Sequence, residues 1–282
     1  MTRALGCSVA AACRALDKPR SWYYYRRRGG VHPVRRPEIE GAIRELLGGN
    51  PASYGYRRIH ALLRRRGLVC NPKTVWRVMQ RKGWLSTSRQ RVVRSTRRHQ
   101  GQVQVAEPNL RWASDITSIR AWDGQKGRLA VMIDCADRMV LAWRFAKRIT
   151  AEDLAEMLRE ALFRRFGEAR VRAQGIEFLS DNGPEYTSHR FQPLVRALGL
   201  IPCHTPLRSP ESNGLAEAFF GSFKRDYVYQ ACLETMEVIE RQLSGWMEHY
   251  NHQAPHSALG MQAPAEFYAD WLVKNSKQPV QF

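Results

Sequence analysis

The chain has 282 residues, of which 44% are hydrophobic and 25% are charged. These fractions favour an ordinary soluble fold, and no apolar run approaches the ~18 residues that a membrane span requires. Residues 1–15 lack the long apolar core and the small-residue cleavage site of a secretory signal, which predicts a cytoplasmic protein.

The formal net charge of +19 is the most informative bulk property, because a chain this basic repels itself unless it meets a polyanion. Residues 1–105 hold 24 of the 45 Lys and Arg residues but only 4 of the 26 Asp and Glu residues. We therefore expect an N-terminal nucleic-acid-binding region joined to a nearly neutral domain with another task. A solvated basic face or attraction to anionic lipid is the alternative, and the interleaving of basic residues with helix patterns and aromatics disfavours it.

The cysteine and histidine spacings predict packing residues rather than metal ligands. The six cysteines, Cys7, Cys13, Cys70, Cys135, Cys203 and Cys232, include no Cys-x-x-Cys pair. This pattern favours neither a zinc site nor a disulfide framework. The late histidines, His249, His252 and His256, are interpreted as packing around the final helix.

The first segment, 1–30, predicts two short helices interrupted at Asp17-Lys18-Pro19, and Gly29-Gly30 begins a linker. Residues 38–85 then predict a helix-turn-helix DNA-binding domain. Its helices are expected at 38–47, 54–66 and 72–82, with Asn71 as N-cap and Pro72 at the first helical position.

The third of these helices carries two distinct faces. Val75, Val78 and Met79 form an apolar stripe, whereas the opposite polar side is typical of a helix that reads the major groove. An all-helical bundle with a basic surface would have a similar pattern, and the local charge favours DNA. The predicted DNA contacts of this domain are Arg57, Arg58, Lys73, Thr74, Arg77 and Arg81. Residues 86–105, rich in Ser, Thr, Gln and Arg, predict a basic linker that lies along phosphates.

From residue 111 the pattern changes to strands. Strands are predicted at 112–119, 129–135, 140–146, ending at 179–180, and at 200–204, with helices at 151–166, 188–198 and from about 212 and 233. This order predicts an α/β ribonuclease H-like catalytic core over 106–230, with a mixed five-stranded sheet and helices on both faces. Residues 231–282 are expected to form a C-terminal helical extension.

Three acids occupy places that this topology brings together. Asp115 lies in the middle of the first predicted strand, Asp181 follows the fourth, and Glu217, separated from Asp181 by 35 residues, begins the next helix. Three converging carboxylates repel one another unless a cation neutralises them, and an all-oxygen ligand set favours magnesium, with manganese as a substitute. Phosphoryl transfer commonly uses two such ions, so Asp115 is expected to bridge both, with Asp181 and Glu217 each completing one site.

The motifs around these acids resemble a known family. They are Asp-Ile-Thr at 115–117, Ser-Asp-Asn-Gly-Pro-Glu-Tyr at 180–186, Ser-Pro-Glu-Ser-Asn-Gly-Leu-Ala-Glu at 209–217, Pro-His-Ser-Ala-Leu-Gly at 255–260, and Ser-Tyr-Gly-Tyr-Arg-Arg at 53–58. Together they are similar to the OrfB-type DDE transposases of the bacterial IS-three family, in particular its IS-two-like branch. The resemblance covers about residues 38–270, and it implies a retroviral integrase-like core. The implied chemistry is hydrolysis that frees a 3′ hydroxyl, followed by attack of that hydroxyl on another phosphodiester, with excision through a circular intermediate.

Further residues are assigned around the site. Lys224 lies seven residues after Glu217, hence on the same helix face and ~10.5 Å along the axis, where the family has a basic residue that contacts DNA. Asn213 is expected to shape the loop before Glu217 and to contact DNA, with loop capping as the alternative. Turn roles are favoured over metal binding for Asp134 and Asp137.

The predicted partners are double-stranded DNA, as element ends and as target, and a second copy of the chain on that DNA. The resemblance also implies an upstream OrfA product or a frameshift fusion in which this chain is the second-frame portion. Two other functions remain open from sequence: a DNA-binding regulator derived from a transposase, which binds ends without cutting, and a ribonuclease H-like nuclease that acts on hybrids.

Overall fold

The computed structural model describes residues 8–27, 37–85, 105–167, 175–204 and 214–276. The predicted basic linker lies outside the described residues except for its last position, Val105, and so does Asn213. Among the described helices, none has the length and apolar character needed to cross a membrane.

Two short helices open the described chain, as predicted. Helix α1 (Val9–Ala15) begins at the N-cap Ser8, whose hydroxyl accepts a hydrogen bond from the Ala11 N–H. Helix α2 (Arg20–Arg27) follows after Asp17, which has a φ of 48°. The positive φ ends the first helix and reverses the chain direction before the second.

The predicted helix-turn-helix region contains helices α3 (Pro37–Gly49), α4 (Tyr56–Arg65) and α5 (Pro72–Arg81). Asn71 caps α5 by accepting from the Lys73 N–H at 2.8 Å, and Pro72 occupies the first turn. The apolar stripe of α5, including Val75, packs against the buried faces of α3 and α4 in one cluster.

The central sheet has the predicted mixed, five-stranded form. Its strands are β1 (Arg111–Arg120), β2 (Lys126–Asp134), β3 (Val140–Ala146), β4 (Glu177–Ser180) and β5 (Ile201–His204), in the order β3-β2-β1-β4-β5. The first three pair antiparallel, whereas β4 pairs parallel with both β1 and β5.

Helices cover both faces of this sheet. One face packs against α6 (Ala151–Phe166), α7 (Pro184–Thr187) and α8 (Phe191–Ala197), and the other against α9 (Gly214–Asp226) and α10 (Met236–His252). The short α7 was missed by the sequence analysis. Within the predicted C-terminal extension, α11 (Pro264–Ser276) contacts α10.

The turn between β2 and β3 is built around buried charge. Asp134 accepts from the Ala136 N–H at 2.8 Å, and Asp137 from the Met139 N–H at 2.8 Å, which are turn roles of the predicted kind. Arg165 pairs with both carboxylates, at 3.3 and 2.7 Å. The Tyr268 ring of α11 lies 3.9 Å from the Arg165 guanidinium carbon, so this network also anchors the C-terminal helix.

Candidate active site

The register between β1 and β4 places Asp115 and Asp181 beside each other. Ala113 pairs with Leu179 in this parallel ladder, and each acid lies two residues further along its own strand direction. Because side chains alternate between faces along a strand, Asp115 follows Ala113 onto the face covered by α9, and Asp181 lies just beyond the end of β4 at the same edge of the sheet. Asp181 directly follows the last residue of β4, as predicted.

Helix α9 brings Glu217 to the same face. Glu217 lies in its first turn and is exposed, while Phe219, Phe220 and Phe223 pack into the cluster that contains Ala113. The aromatic side of the helix therefore fixes it against the sheet and leaves the Glu217 carboxylate near the edge where Asp115 and Asp181 lie.

The negative charges of Asp181 and Glu217 act on Asp115. The pKa of Asp115 is raised from 3.8 to about 6, first by burial and then by the negative charges of Asp181 and Glu217. Within the described ranges, however, no group of three or more His, Cys, Asp or Glu side chains is arranged to hold a metal ion. Electrostatic repulsion acts over longer distances than a metal–ligand bond. The contributions of Asp181 and Glu217 therefore indicate that the two acids are near Asp115, and not that the three carboxylates are arranged around one ion. Joint coordination by these residues stays a prediction.

The turn after Asp181 is held by contacts that the sequence analysis did not identify. The Gly183 N–H donates to Asp181 Oδ1 at 3.0 Å, and a Cβ on Gly183 would lie 3.0 Å from that same oxygen. Glu185 pairs with Arg128 at 2.7 Å. A side chain at position 183 would therefore be in tight contact with the Asp181 carboxylate.

A buried hydroxyl pair supports Asp115 from the other side of the sheet. The Tyr186 hydroxyl lies 2.8 Å from the Ser114 hydroxyl, and Ser114 donates to the Val131 carbonyl at 3.0 Å. Burial raises the pKa of Tyr186 well above its ordinary value, so the hydroxyl stays protonated. The Tyr at the end of the 180–186 motif was the available sequence signal for this support.

Lys224 lies on the same side of α9 as Glu217. Its ammonium donates to the Thr117 hydroxyl at 2.7 Å. Burial lowers the pKa of Lys224, and the charge of Asp115 acts against that shift. A cation is thus held beside the carboxylates, and contact with DNA stays a prediction for it.

The predicted DNA contacts of the helix-turn-helix domain divide into two groups. Lys73, Arg77 and Arg81 are exposed on α5, Thr74 is half-buried, and Arg57 is exposed at the start of α4. All five stay predictions. Arg58 is different, because its guanidinium pairs with Asp226 of α9 at 2.6 Å and lies over the Tyr54 ring.

Comparison with known proteins agrees with this division of the chain. Residues 35–92 match the HTH-like domain family, and residues 105–210 and 199–264 match two Integrase core domain families. The five-stranded sheet and the acids from its strands thus fall in the integrase core match, and α3 to α5 fall in the HTH-like match.

Two curated proteins are similar to the chain over long stretches. The transposase InsD for insertion element IS2 of Escherichia coli is 33% identical over 279 residues, which cover 95% of this chain and 92% of that protein. An uncharacterized protein of insertion element IS136 from Agrobacterium tumefaciens is 42% identical over 177 residues, covering 62% of this chain and 90% of that protein.

The fold is shared with a solved assembly. A chain in the cryo-EM structure of the simian T-cell lymphotropic virus intasome, in complex with PP2A regulatory subunit B56 gamma, matches 79% of this chain and 72% of its own length. The TM-score is 0.52 and the sequence identity is 19%. This likeness supports the retroviral integrase-like, ribonuclease H-like fold of the core.

Proposed function

We propose that this chain, which belongs to the family of the InsD transposases of insertion element IS2, cuts the ends of its own element and joins them to other DNA with Asp115, Asp181 and Glu217. The observation that supports the proposal is the parallel pairing of Ala113 with Leu179, two residues before Asp115 and Asp181, on the sheet face covered by α9, together with the raised pKa of Asp115.

The donor set of this site fits a divalent cation. All three groups are carboxylates, which favour magnesium or manganese, and Asp115 carries its charge at a cost that a cation would relieve. Asp115, Asp181 and Glu217 would hold two ions, with Asp115 shared between them. Bound metal would supply activation of the attacking oxygen and stabilisation of the leaving oxygen.

Two successive displacements at phosphorus account for the reaction. In the first, a water oxygen attacks the phosphodiester at the element end, and the 3′ oxygen leaves as a hydroxyl. In the second, that 3′ oxygen attacks another phosphodiester, and a second 3′ hydroxyl is released, so no covalent bond to the protein forms. Lys224, beside Asp115 and with its ammonium held by Thr117, is suited to contact a phosphate next to the site.

The other parts of the chain supply the DNA contacts and the partners. The exposed basic residues of α5 would read the element end in the major groove. Because joining requires two ends to be held together, we expect at least two copies of the chain on DNA. An upstream OrfA product, or its frameshift fusion to this chain, would be a further partner.

The test uses the purified full-length chain and a labelled duplex carrying the ends of the element that encodes it. With magnesium, we expect 3′-end cleavage and joined products from the wild type, and none above background from Asp181→Asn or Glu217→Gln. End binding should persist in both variants, because neither residue lies in the helix-turn-helix domain. Glu240→Gln is the matched control, since Glu240 is an exposed carboxylate on α10, and it should keep its activity within a few-fold.

Other outcomes separate the competing functions. End binding without cleavage by the wild type would favour a DNA-binding regulator. Cleavage of an RNA–DNA hybrid in preference to the duplex would favour a hybrid nuclease. Full activity in Asp181→Asn would remove that residue from the mechanism.

A further inference from the structure

A buried acid on α9 binds the helix-turn-helix domain to the catalytic core. The Asp226 side chain is 6% exposed and receives Arg58 Nη1 at 2.6 Å and the Ser53 hydroxyl at 2.6 Å, both from outside the core. Arg225 adds two hydrogen bonds, at 2.6 and 2.9 Å. Burial opposes the charge, yet the Arg225 hydrogen bonds and the charge of Arg58 hold the pKa of Asp226 below its ordinary value.

Neighbouring contacts extend this interface along the same surface of the helix-turn-helix domain. The Ala52 N–H donates to Gln230 Oε1 at 2.9 Å, beyond the end of α9. Arg65, at the other end of α4, donates to the Gln253 and Met261 carbonyls at 2.8 and 2.9 Å. Its guanidinium also pairs with Glu266 of α11 at 2.6 Å. The side of α4 that carries Arg58 and Arg65 is therefore in contact with the rest of the chain.

The position of Asp226 on α9 relates this interface to the active site. Asp226 lies nine residues after Glu217, which at 3.6 residues per turn is two and a half turns, ~13.5 Å along the axis and on the opposite side of the helix. Lys224 is on the Glu217 side. Helix α9 thus has its active-site groups on one side and its helix-turn-helix contact on the other.

We propose that Arg58 and Asp226 are positioning residues: the docked helix-turn-helix domain sets the rotation and axial position of α9, and thereby the placement of Glu217 and Lys224 for the reaction. The inference rests on the proposed function and assigns Arg58 to the core instead of to DNA.

The test measures single-turnover cleavage of the end duplex at saturating DNA, the affinity for that duplex, and amide hydrogen exchange of α9. In Arg58→Gln and in Asp226→Asn we expect the cleavage rate to fall tenfold or more while affinity stays within about twofold. The double variant should be no slower than the slower single variant, because the pair acts as a unit. Arg58→Lys should recover part of the rate. Amides of residues 218–226 should exchange faster in both single variants.

Two further variants sharpen the comparison. Glu45→Gln breaks an exposed pair with Arg66 inside the helix-turn-helix domain, so it is the matched carboxylate control and should change none of the three readouts. Arg57→Gln removes a predicted DNA contact and should weaken affinity and reduce its salt dependence. If Arg58→Gln also weakened the affinity for the duplex and reduced its salt dependence, as expected for Arg57→Gln, the inference would be overturned.

The failure of this inference can be told from failure of the proposed function. If the wild type cuts no end duplex, the proposed function fails. Hydrogen exchange of α9 then tests by itself whether Arg58 and Asp226 position this helix. Unchanged α9 exchange in Arg58→Gln and Asp226→Asn overturns the inference in either case. Additive losses in the double variant would do the same.

Discussion

The Asp115→Asn substitution should stabilise the protein while abolishing its reaction. Asp115 has its pKa raised to about 6 in the folded chain against 3.8 as a free side chain, chiefly by burial and then by Asp181 and Glu217. A raised carboxyl pKa means that folding favours the neutral form. The stability contributed by protonated Asp115 is therefore full below pH 3.8 and is lost as the pH rises through 6.

The magnitude follows from the size of the shift. About two pKa units at about 1.4 kcal/mol each give a ceiling of about 3 kcal/mol at neutral pH. Asp115 is only partly buried, so solvent screening reduces this to about 1–2 kcal/mol. Asparagine keeps an oxygen that can accept from the Ile116 N–H, which now donates to Asp115 Oδ1 at 2.8 Å. The variant should consequently melt about 2–5 °C higher than the wild type.

Thermal unfolding at several values between pH 5 and 8, with a chelator present, measures this difference. The advantage of Asp115→Asn should be largest above pH 7 and about half as large at pH 5. Added magnesium should raise the melting temperature of the wild type more than that of the variant. Glu240→Gln, an exposed carboxylate on α10, is the control and should stay within about 0.5 kcal/mol of the wild type. A variant that melts at or below the wild type at pH 7.5, or an advantage independent of pH, would refute the reasoning.

Two predictions concern packing and buried charge. Gly127→Ala should destabilise the chain by about 1–3 kcal/mol in chemical denaturation, because its Cβ would lie 2.2 Å from the Phe145 ring. Gly221→Ala in α9 is the control: its Cβ would have no such neighbour within 4 Å, so it should be neutral or stabilising. Equal effects of the two substitutions would contradict the packing argument. Arg165→Ala should cost about 3–5 kcal/mol by leaving two buried carboxylates unpaired, and adding Asp137→Asn should recover part of this loss; no recovery would show that charge is not the cause.

Regular elements and the acid motifs could be read from the sequence because local signals specify them. The strands β1 to β3, the N-cap Asn71 and the helix Ala151–Phe166 were predicted close to their observed bounds. The family resemblance is confirmed by the relative that covers most of the chain. The short α7 was missed because four residues provide too little periodicity. The contacts of Tyr186 with Ser114 were not predictable, since they join segments 72 positions apart.

Charge counts could not say which cations meet DNA and which meet the protein itself. Arg57 and Arg58 are adjacent in one motif and were predicted to have the same role, yet one is exposed and the other pairs with Asp226. Several other basic residues of the helix-turn-helix domain also have acidic partners, among them Arg65 with Glu266. A part of the N-terminal basic excess thus serves the interface with the core, and only the fold separates that part from the rest.

Asp115 and Asp226 differ in how far the fold compensates their charge. Asp115 lies on β1 and Asp226 lies at the end of α9, and burial disfavours the charged form of both carboxylates. Asp226 has hydrogen bonds from Arg225 and Arg58, so its charge is compensated and breaking that set would leave it unpaired. Asp115 instead has two acids as neighbours and Lys224 as a weaker opposing charge, so its charge is left in excess. A carboxylate with little compensation destabilises the folded chain and attracts a cation, whereas a compensated one can fix a contact between elements. In the proposed mechanism α9 takes part in both, because it carries Glu217 beside Asp115 and Asp226 against Arg58.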